Sequence, residues 1–291
     1  NKKLYVLGDT TNYQILAEQP SGYAGLSIKS TTVAQTWSWL ANDNGSNSDL
    51  LLYGGAAAGT KLTIDSSGNV GIGVIPEAWT GYSPVLQIGD RGSIAHWAND
   101  SISIGDNWYY ASGNKRIEAG YAPRIQLASA TGKIFFDIAA TDIADSAITW
   151  STKMVIEGSG NVGIGNTSPS SFNSLGGKQV VIGDGTQTNN LTLYSATTGG
   201  GVGYGHIAFA DSNASGSTAQ YAGLIQYYHG NDSMQFYTDS TPKMTILSGG
   251  NVGIGTASPD GSDWNASSKL LHIYQNQWYL IHAVYHEIDC I

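Results

Sequence analysis

Three carboxylates fall close together in the stretch FFDIAATDIADSAITW: Asp137, Asp142 and Asp145, with Asp106 and Glu118 upstream. Two carboxyl groups held about 5–9 Å apart can hydrolyse a glycosidic bond, one giving a proton and the other attacking or activating water. Aspartate is also a favoured turn residue, and no further motif singles out a pair, so no catalytic residue is assigned and the chain is not expected to be an enzyme. His282 and His286 stand four apart in IHAVYHEID, beside Glu287 and Asp289. On a helix that spacing could share a metal, and on a strand both rings would face one way. No second ligand cluster accompanies them, so neither a metal nor another cofactor is expected. GNVGIG occurs at Gly68–Gly73, Gly160–Gly165 and Gly250–Gly255. It has the glycine density of a phosphate loop but the wrong spacing, and no helix follows to supply an anion-binding N-terminus. It reads as a structural corner. No Gly-x-Ser-x-Gly elbow sits between a strand and a helix.

Aromatic side chains are better binding candidates, because the apolar C–H faces of sugars pack on flat rings while their hydroxyls pair with Asn, Asp and Gln. Clusters occur at Trp37 and Trp39, at His96 and Trp97, at Trp108, Tyr109 and Tyr110, and at Trp278, Tyr279, His282 and Tyr285. Aromatics also fill thin β cores, and the first three clusters are read that way. The last one lies outside the repeats, so Trp278, Tyr279, His282 and Tyr285 are the receptor-binding candidates.

The composition limits what can hold these groups. Of the 291 residues only 12% are charged, against 41% hydrophobic and 38 glycines. Average domains are about 25% charged, so solubility here rests on Ser, Thr, Asn and Gly. Glycine and β-branched residues disfavour helices, and the segments between glycine corners alternate apolar and polar residues, as in GHIAFAD, YAGLIQYYHG, SMQFYTD, SISIGD and GKIFFDIA. Helical periodicity is almost absent; PEAWTGY and TDIADSAITW could hold at most a short turn. An all-β chain is expected. With a net charge of −9 and no dense basic cluster, nucleic-acid binding is excluded. A single cysteine, Cys290, allows no intrachain disulfide, and no apolar run is long enough for a membrane helix, so membrane insertion is not expected. The chain opens on NKKLYVLGD, without methionine or a signal-peptide pattern. It reads as a fragment of something longer or a product whose start was removed.

The GNVGIG copies begin 92 and then 90 residues apart. Each follows a strand, in TKLTIDSSGNVGIG, TKMVIEGSGNVGIG and PKMTILSGGNVGIG. Each is followed by a proline, an aromatic residue and a new alternating stretch: PVLQIGD, KQVVIGD and KLLHIY. The modules divide as residues 1–75, 76–167 and 168–257, with a C-terminal segment or tip at 258–291. In Val-Gly-Ile the β-branched residues take one face and glycine the other, and such a one-faced strand must pack on another apolar surface. Modules could stack within one chain, or the same strand of several chains could meet on a symmetry axis. The repeat is longer than the roughly 20–50 residues of solenoid coils and propeller blades, which favours the second. Val70, Ile72, Val162, Ile164, Val252 and Ile254 would then line a threefold axis. Gly68, Gly71, Gly73, Gly160, Gly163, Gly165, Gly250, Gly253 and Gly255 would let chains or corners approach closely.

The stretch KMTILSGGNVGIGTASP resembles the recurring hinge of bacteriophage tail fibre proteins, and the segments His206–Asp239 and Gly89–Gly120 resemble that family's inter-hinge modules. The resemblance covers roughly residues 20–275. It implies an elongated, fibrous homotrimer of β modules around a threefold axis, intertwined or like a triple β-helix or β-prism. It also implies a place in the virion, outside the cell, with other tail or baseplate proteins and a host cell-surface polysaccharide as partners. Many such fibres continue into a self-cleaving chaperone, which nothing here resembles; QNQWYLIHAVYHEIDCI reads as a specialised tip or the stop of a shortened chain. A glycan depolymerase on the same scaffold and a bacterial trimeric adhesin are the alternatives.

Overall fold

The computed structural model describes residues 7–8, 13–14, 22–29, 36–43, 48–54, 59–82, 84–97, 100–195, 203–259 and 271–273. Strand accounts for 51% and helix for 4%, in large sheets that, among the described residues, do not close into a barrel, so the chain is all-β. It divides into two compact units, residues 1–189 and 190–291.

In the first unit β1 (Leu7–Gly8) and β2 (Tyr13–Gln14) pair as a short ribbon. A meander follows: β3 (Gly22–Lys29), β4 (Thr36–Asp43), β5 (Ser48–Gly54), β6 (Thr60–Ile64) and β7 (Val70–Ile72), each antiparallel to the last. β8 (Val85–Ile88) then lies parallel to β7, reached by a crossover over residues 73–84. The meander resumes with β9 (Gly92–Trp97) and β10 (Ser101–Asp106). A loop carrying the ribbon β11 (Tyr109–Tyr110) and β12 (Asn114–Lys115) leads to β13 (Gly120–Ala128), β14 (Lys133–Asp142), β15 (Ser151–Ile156) and β16 (Val162–Ile164). β17 (Val180–Ile182) again arrives parallel, after a crossover containing a 3-10 turn at Pro169–Leu175. Apart from the two ribbons, all of these form one 13-stranded sheet. The second unit repeats the plan with β18 (Tyr204–Phe209), β19 (Gly223–Tyr228), β20 (Ser233–Thr238), β21 (Thr241–Ile246), β22 (Val252–Ile254) and β23 (Leu271–Ile273), the last parallel to its neighbour.

The two faces of the large sheet differ in kind. One register row runs Ala41, Leu50, Ile64, Val70, Leu86, Ile94, Ile104, Ile125, Phe136, Met154, Ile164, Ile182, apolar on every strand from β4 to β17. Side chains on this face stay open to solvent: Ile72 is 44% exposed, Ile88 and Ile104 49%, Leu127 41%. One residue further along the strands, the adjacent row reads Leu51, Thr63, Gly71, Gln87, Ser93, Gly105, Arg124, Asp137. That face is covered. The second unit shows the same contrast: Ile207, Ile225, Phe236, Met244, Ile254 and Ile273 form a row beside His206, Gln226, Gln235, Thr245, Gly253 and His272.

The chain's own loops cover the small-residue face. Ala95, Ala122 and Ala139 leave room for large rings, and Trp79, Tyr82, Trp108, Tyr109 and Ile148 descend on them from the crossover and from the loops at 107–119 and 143–150. Trp108 is fully buried, edge-on to Trp79 (5.2 Å) and Tyr82 (5.4 Å), with its Nε1 donating to Asn114 Oδ1 at 2.9 Å. Edge-to-face contacts of this kind add to the area that the rings bury. Asn107 and Arg116 hold the lid in place through backbone groups: Asn107 Nδ2 donates to the Glu118 and Tyr121 carbonyls, and Arg116 to those of Gly120, Ala140 and Ala147. A larger side chain beneath the rings has nowhere to go. Ala122→Leu is expected to lose about 1–3 kcal/mol in denaturant unfolding, with a red-shifted tryptophan emission as the indoles are displaced.

Candidate functional site

The three GNVGIG hinges have one geometry. A β-bulge precedes each: the register shifts after Leu52, Phe136 and Phe236, leaving Lys61, Lys153 and Lys243 between paired positions. The carbonyl of each bulged lysine accepts the N–H of the last hinge glycine, from Gly73 at 2.9 Å, Gly165 at 2.8 Å and Gly255 at 2.9 Å. The hairpin closes in the same way each time, with Gly68, Gly160 and Gly250 donating to the carbonyls of Asp65, Glu157 and Leu247. The first and last glycines sit at φ between +66° and +88°, where a Cβ is strained.

Asparagine and the middle glycine set the parallel strand. Asn69 Oδ1 accepts the Val85 N–H at 3.0 Å, and Asn161 Oδ1 the Gln179 N–H at 3.2 Å, so each side chain grips the chain as it enters the next module. Gly71, Gly163 and Gly253 are buried on the covered face. A Cβ there would fall on the carbonyl oxygen of Val74, Asn166 or Thr256. The middle glycines thus admit the chain's own crossover, whereas a Cβ at Gly68 or Gly73 would meet open space and those two are needed for their positive φ, not for close approach. In the first hinge Gln87 adds a further tie, its Oε1 accepting from Glu77 N (2.9 Å) and Trp79 Nε1 (3.3 Å). The β-branched residues take the opposite face: Val70, Val162 and Val252 are half-buried, and Ile72, Ile164 and Ile254 are exposed. All six belong to the open apolar face.

The aromatic clusters divide. Trp108, Tyr109 and Tyr110 belong to the lid, and Trp97 packs against it. Trp37 and Trp39 stand on the open face, 40% and 47% exposed. Trp278, Tyr279, His282 and Tyr285 lie outside the described residues, as does Cys290. The sequence did not single out Tyr82, which joins Trp97 (4.7 Å) and Tyr110 (5.3 Å) around a small hollow. A lone tyrosine in a crossover carries no pattern that would have marked it.

The carboxylates have structural partners. Asp137, on the covered row, accepts from Arg124 Nε at 3.0 Å and Thr152 Oγ1 at 2.7 Å. The Arg124 guanidinium also lies 4.0 Å from the centre of the Trp150 ring. Asp106 and Glu118 both lie 3.9 Å from Arg91 Nε. Asp145 accepts the Tyr109 hydroxyl at 2.6 Å. Burial first, then that hydrogen bond and the charges of Asp145 and Glu77, push the Tyr109 phenol up to about 12. Burial, with the Asp145 charge, also raises Glu77. Glu157 is held below the usual carboxylate range by the hydrogen bond from Lys133, which outweighs its burial; Ser170 assists. Among the described residues no three or more His, Cys, Asp or Glu side chains are grouped to hold a metal ion, and no helix is long and apolar enough to cross a membrane.

Two outcomes follow from this geometry. Gly163→Val is expected to cost at least about 2 kcal/mol of chain stability, because valine must displace the crossover backbone; a wild-type unfolding midpoint would contradict the close approach. The second concerns alkaline pH. The folded chain keeps the Tyr109 proton until about pH 12, whereas an unfolded tyrosine loses it near pH ~10. Its contribution is therefore complete below pH ~10 and is lost as the pH rises toward 12. Tyr109→Phe should flatten the decline in stability over that window, measured by urea unfolding at a series of pH values. No protein-family model matches the chain, and a search of curated proteins finds no match either.

Proposed function

We propose that the chain is a segment of a homotrimeric bacteriophage tail fibre that attaches the virion to a host surface glycan. The observation that carries this reading is the open apolar row, unbroken from β4 to β17 and repeated in the second unit. Monomeric proteins seldom expose apolar patches beyond a few hundred Å². At about 4.8 Å between strands the row runs roughly 50 Å. Three copies with this face turned inward would form the walls of a prism, with Val70, Ile72, Val162, Ile164, Val252 and Ile254 toward the axis. The lidded face would then be the outside of the fibre, in contact with solvent and host.

The three identical hinges agree with a shaft, since each returns the chain to the sheet in the same register. Resemblance of KMTILSGGNVGIGTASP to tail fibre hinges supplies the biological setting. The reading is adhesive and not catalytic, because Asp137 is paired with Arg124 and Asp145 with Tyr109. Release of reducing ends from host polysaccharide would replace it with a depolymerase.

Light scattering of the purified chain is expected to give three times the 30.6 kDa chain mass. Ile104→Asp together with Ile164→Asp should reduce it to one chain mass, since a charge on a closed apolar face is left unpaired. A wild-type monomer would sink the shared-axis reading, and a dimer would replace the prism with two sheets face to face.

A further inference from the structure

The lidded face carries a hollow of about 200 Å³ lined by Tyr82, Trp97, Tyr110, Asp100, Ser101 and Gln126. We propose that it binds one unit of a neutral saccharide; this rests on the fibre reading only in placing the face outward.

Trp97 and Tyr110, both half-buried, make the apolar part, with the buried Tyr82 packed against both. Tyr82, Trp97 and Tyr110 lie 4.7–5.5 Å apart, centre to centre, at mutual angles of 55–65°, so their planes differ without any pair being stacked. Their positions are fixed from behind. Tyr82 packs on the fully buried Trp108, and Trp97 lies against Gly81, where a Cβ would meet the indole at 2.7 Å. A glycine at φ +77° is thus needed for the crossover to pass the ring. Rings held by a packed core meet a ligand without losing rotamer freedom.

The polar part comes from the adjoining strand ends. The Asp100 N–H donates to the Trp97 carbonyl at 2.9 Å, while its own carbonyl accepts from Ser129. Gln126 Nε2 donates to Ser101 Oγ at 3.2 Å, and Gln126 Oε1 accepts from Arg124. An acid, an amide and a hydroxyl beside aromatic walls match the surface of a sugar ring, which has apolar C–H patches bordered by hydroxyls. Burial raises the Tyr82 phenol, an effect partly offset by the Arg124 guanidinium and reinforced by Tyr110 and Asp100. The exposed Asp100 carboxylate and the chain's net charge of −9 disfavour uronic and sialic acids. The hollow is smaller than the ~300–1,000 Å³ of drug-sized pockets, which limits it to a single ring. One such ligand binds at roughly millimolar strength. Three copies around a fibre, and many fibres on a particle, would turn that into firm adhesion.

The test is saturation-transfer NMR on the full chain with methyl glucoside, methyl galactoside, N-acetylglucosamine and glucuronic acid. At least one neutral sugar is expected to receive saturation and glucuronic acid none. Asp100→Asn and Gln126→Ala should each weaken binding about tenfold while the light-scattering mass and unfolding midpoint stay unchanged. Transfer to none of the neutral sugars, transfer to glucuronic acid, or wild-type binding by both variants would overturn the proposal. A trimer that binds none of them sinks the hollow and leaves the fibre standing. A monomer that binds a neutral sugar through Asp100 and Gln126 does the reverse.

Discussion

A carbonyl oxygen lies over the middle glycine of every hinge, at the one position on that strand where no side chain fits. The rest of the sheet depends on this approach. It brings the start of each crossover onto the covered face, and the next strand arrives beside Val-Gly-Ile and parallel to it. Parallel pairing needs a connection that leaves the sheet plane and returns, usually through a helix. Here the described residues of the two crossovers in the first unit contain no α-helix. Glycine contact, the asparagine grip on the incoming strand and the bulged lysine carbonyl together do what helix packing does elsewhere. The glycines, the asparagine and the β-branched pair each take a distinct place in this geometry, and Asn69 and Asn161 hold the incoming strand.

The two faces solve one packing problem in opposite ways. On the lidded face, alanine, serine and glycine on the strands make space for indole and phenol rings from the loops, and the polar side chains left there are mostly tied to one another or to backbone. Arg124 is held between Asp137 and the Trp150 ring, so a charge survives in a layer that excludes much of the solvent. On the open face the described row carries isoleucine, leucine, valine, methionine and phenylalanine, and Ile72, Ile88, Ile104 and Ile164 are exposed. Loops cover one face of the described sheet, and the other is left with a continuous apolar row open to solvent.

Much of this was legible in the sequence, for a clear physical reason. Period-two alternation and a repeated corner report local geometry, and both the all-β class and the face taken by Val162 and Ile164 follow from them. What stayed hidden depends on contacts between distant residues. The candidate acid Asp137 became half of an ion pair because antiparallel register sets it opposite Arg124. Trp37 and Trp108 look alike in a strand-rich sequence, yet one is on the open face and the other under a lid. Tyr82 and Gln126 meet only after a crossover and two strand pairings. The Asn69 side chain could be read as a turn residue, but not as the partner of an amide sixteen residues away.

The hinge also makes the chain divisible. In the first unit, the stretch from one GNVGIG to the next begins and ends on strands with the same neighbours and the same register. Excising the 92 residues between the starts of those two copies would rejoin β6 to β16 with every hydrogen-bonding edge matched. Seven strand spacings separate β8 from β17, so one module corresponds to about 34 Å of sheet at 4.8 Å per strand. Deleting or duplicating such a stretch would therefore shorten or lengthen the sheet in fixed steps, and exchange the loops on its covered face, while keeping the same junction.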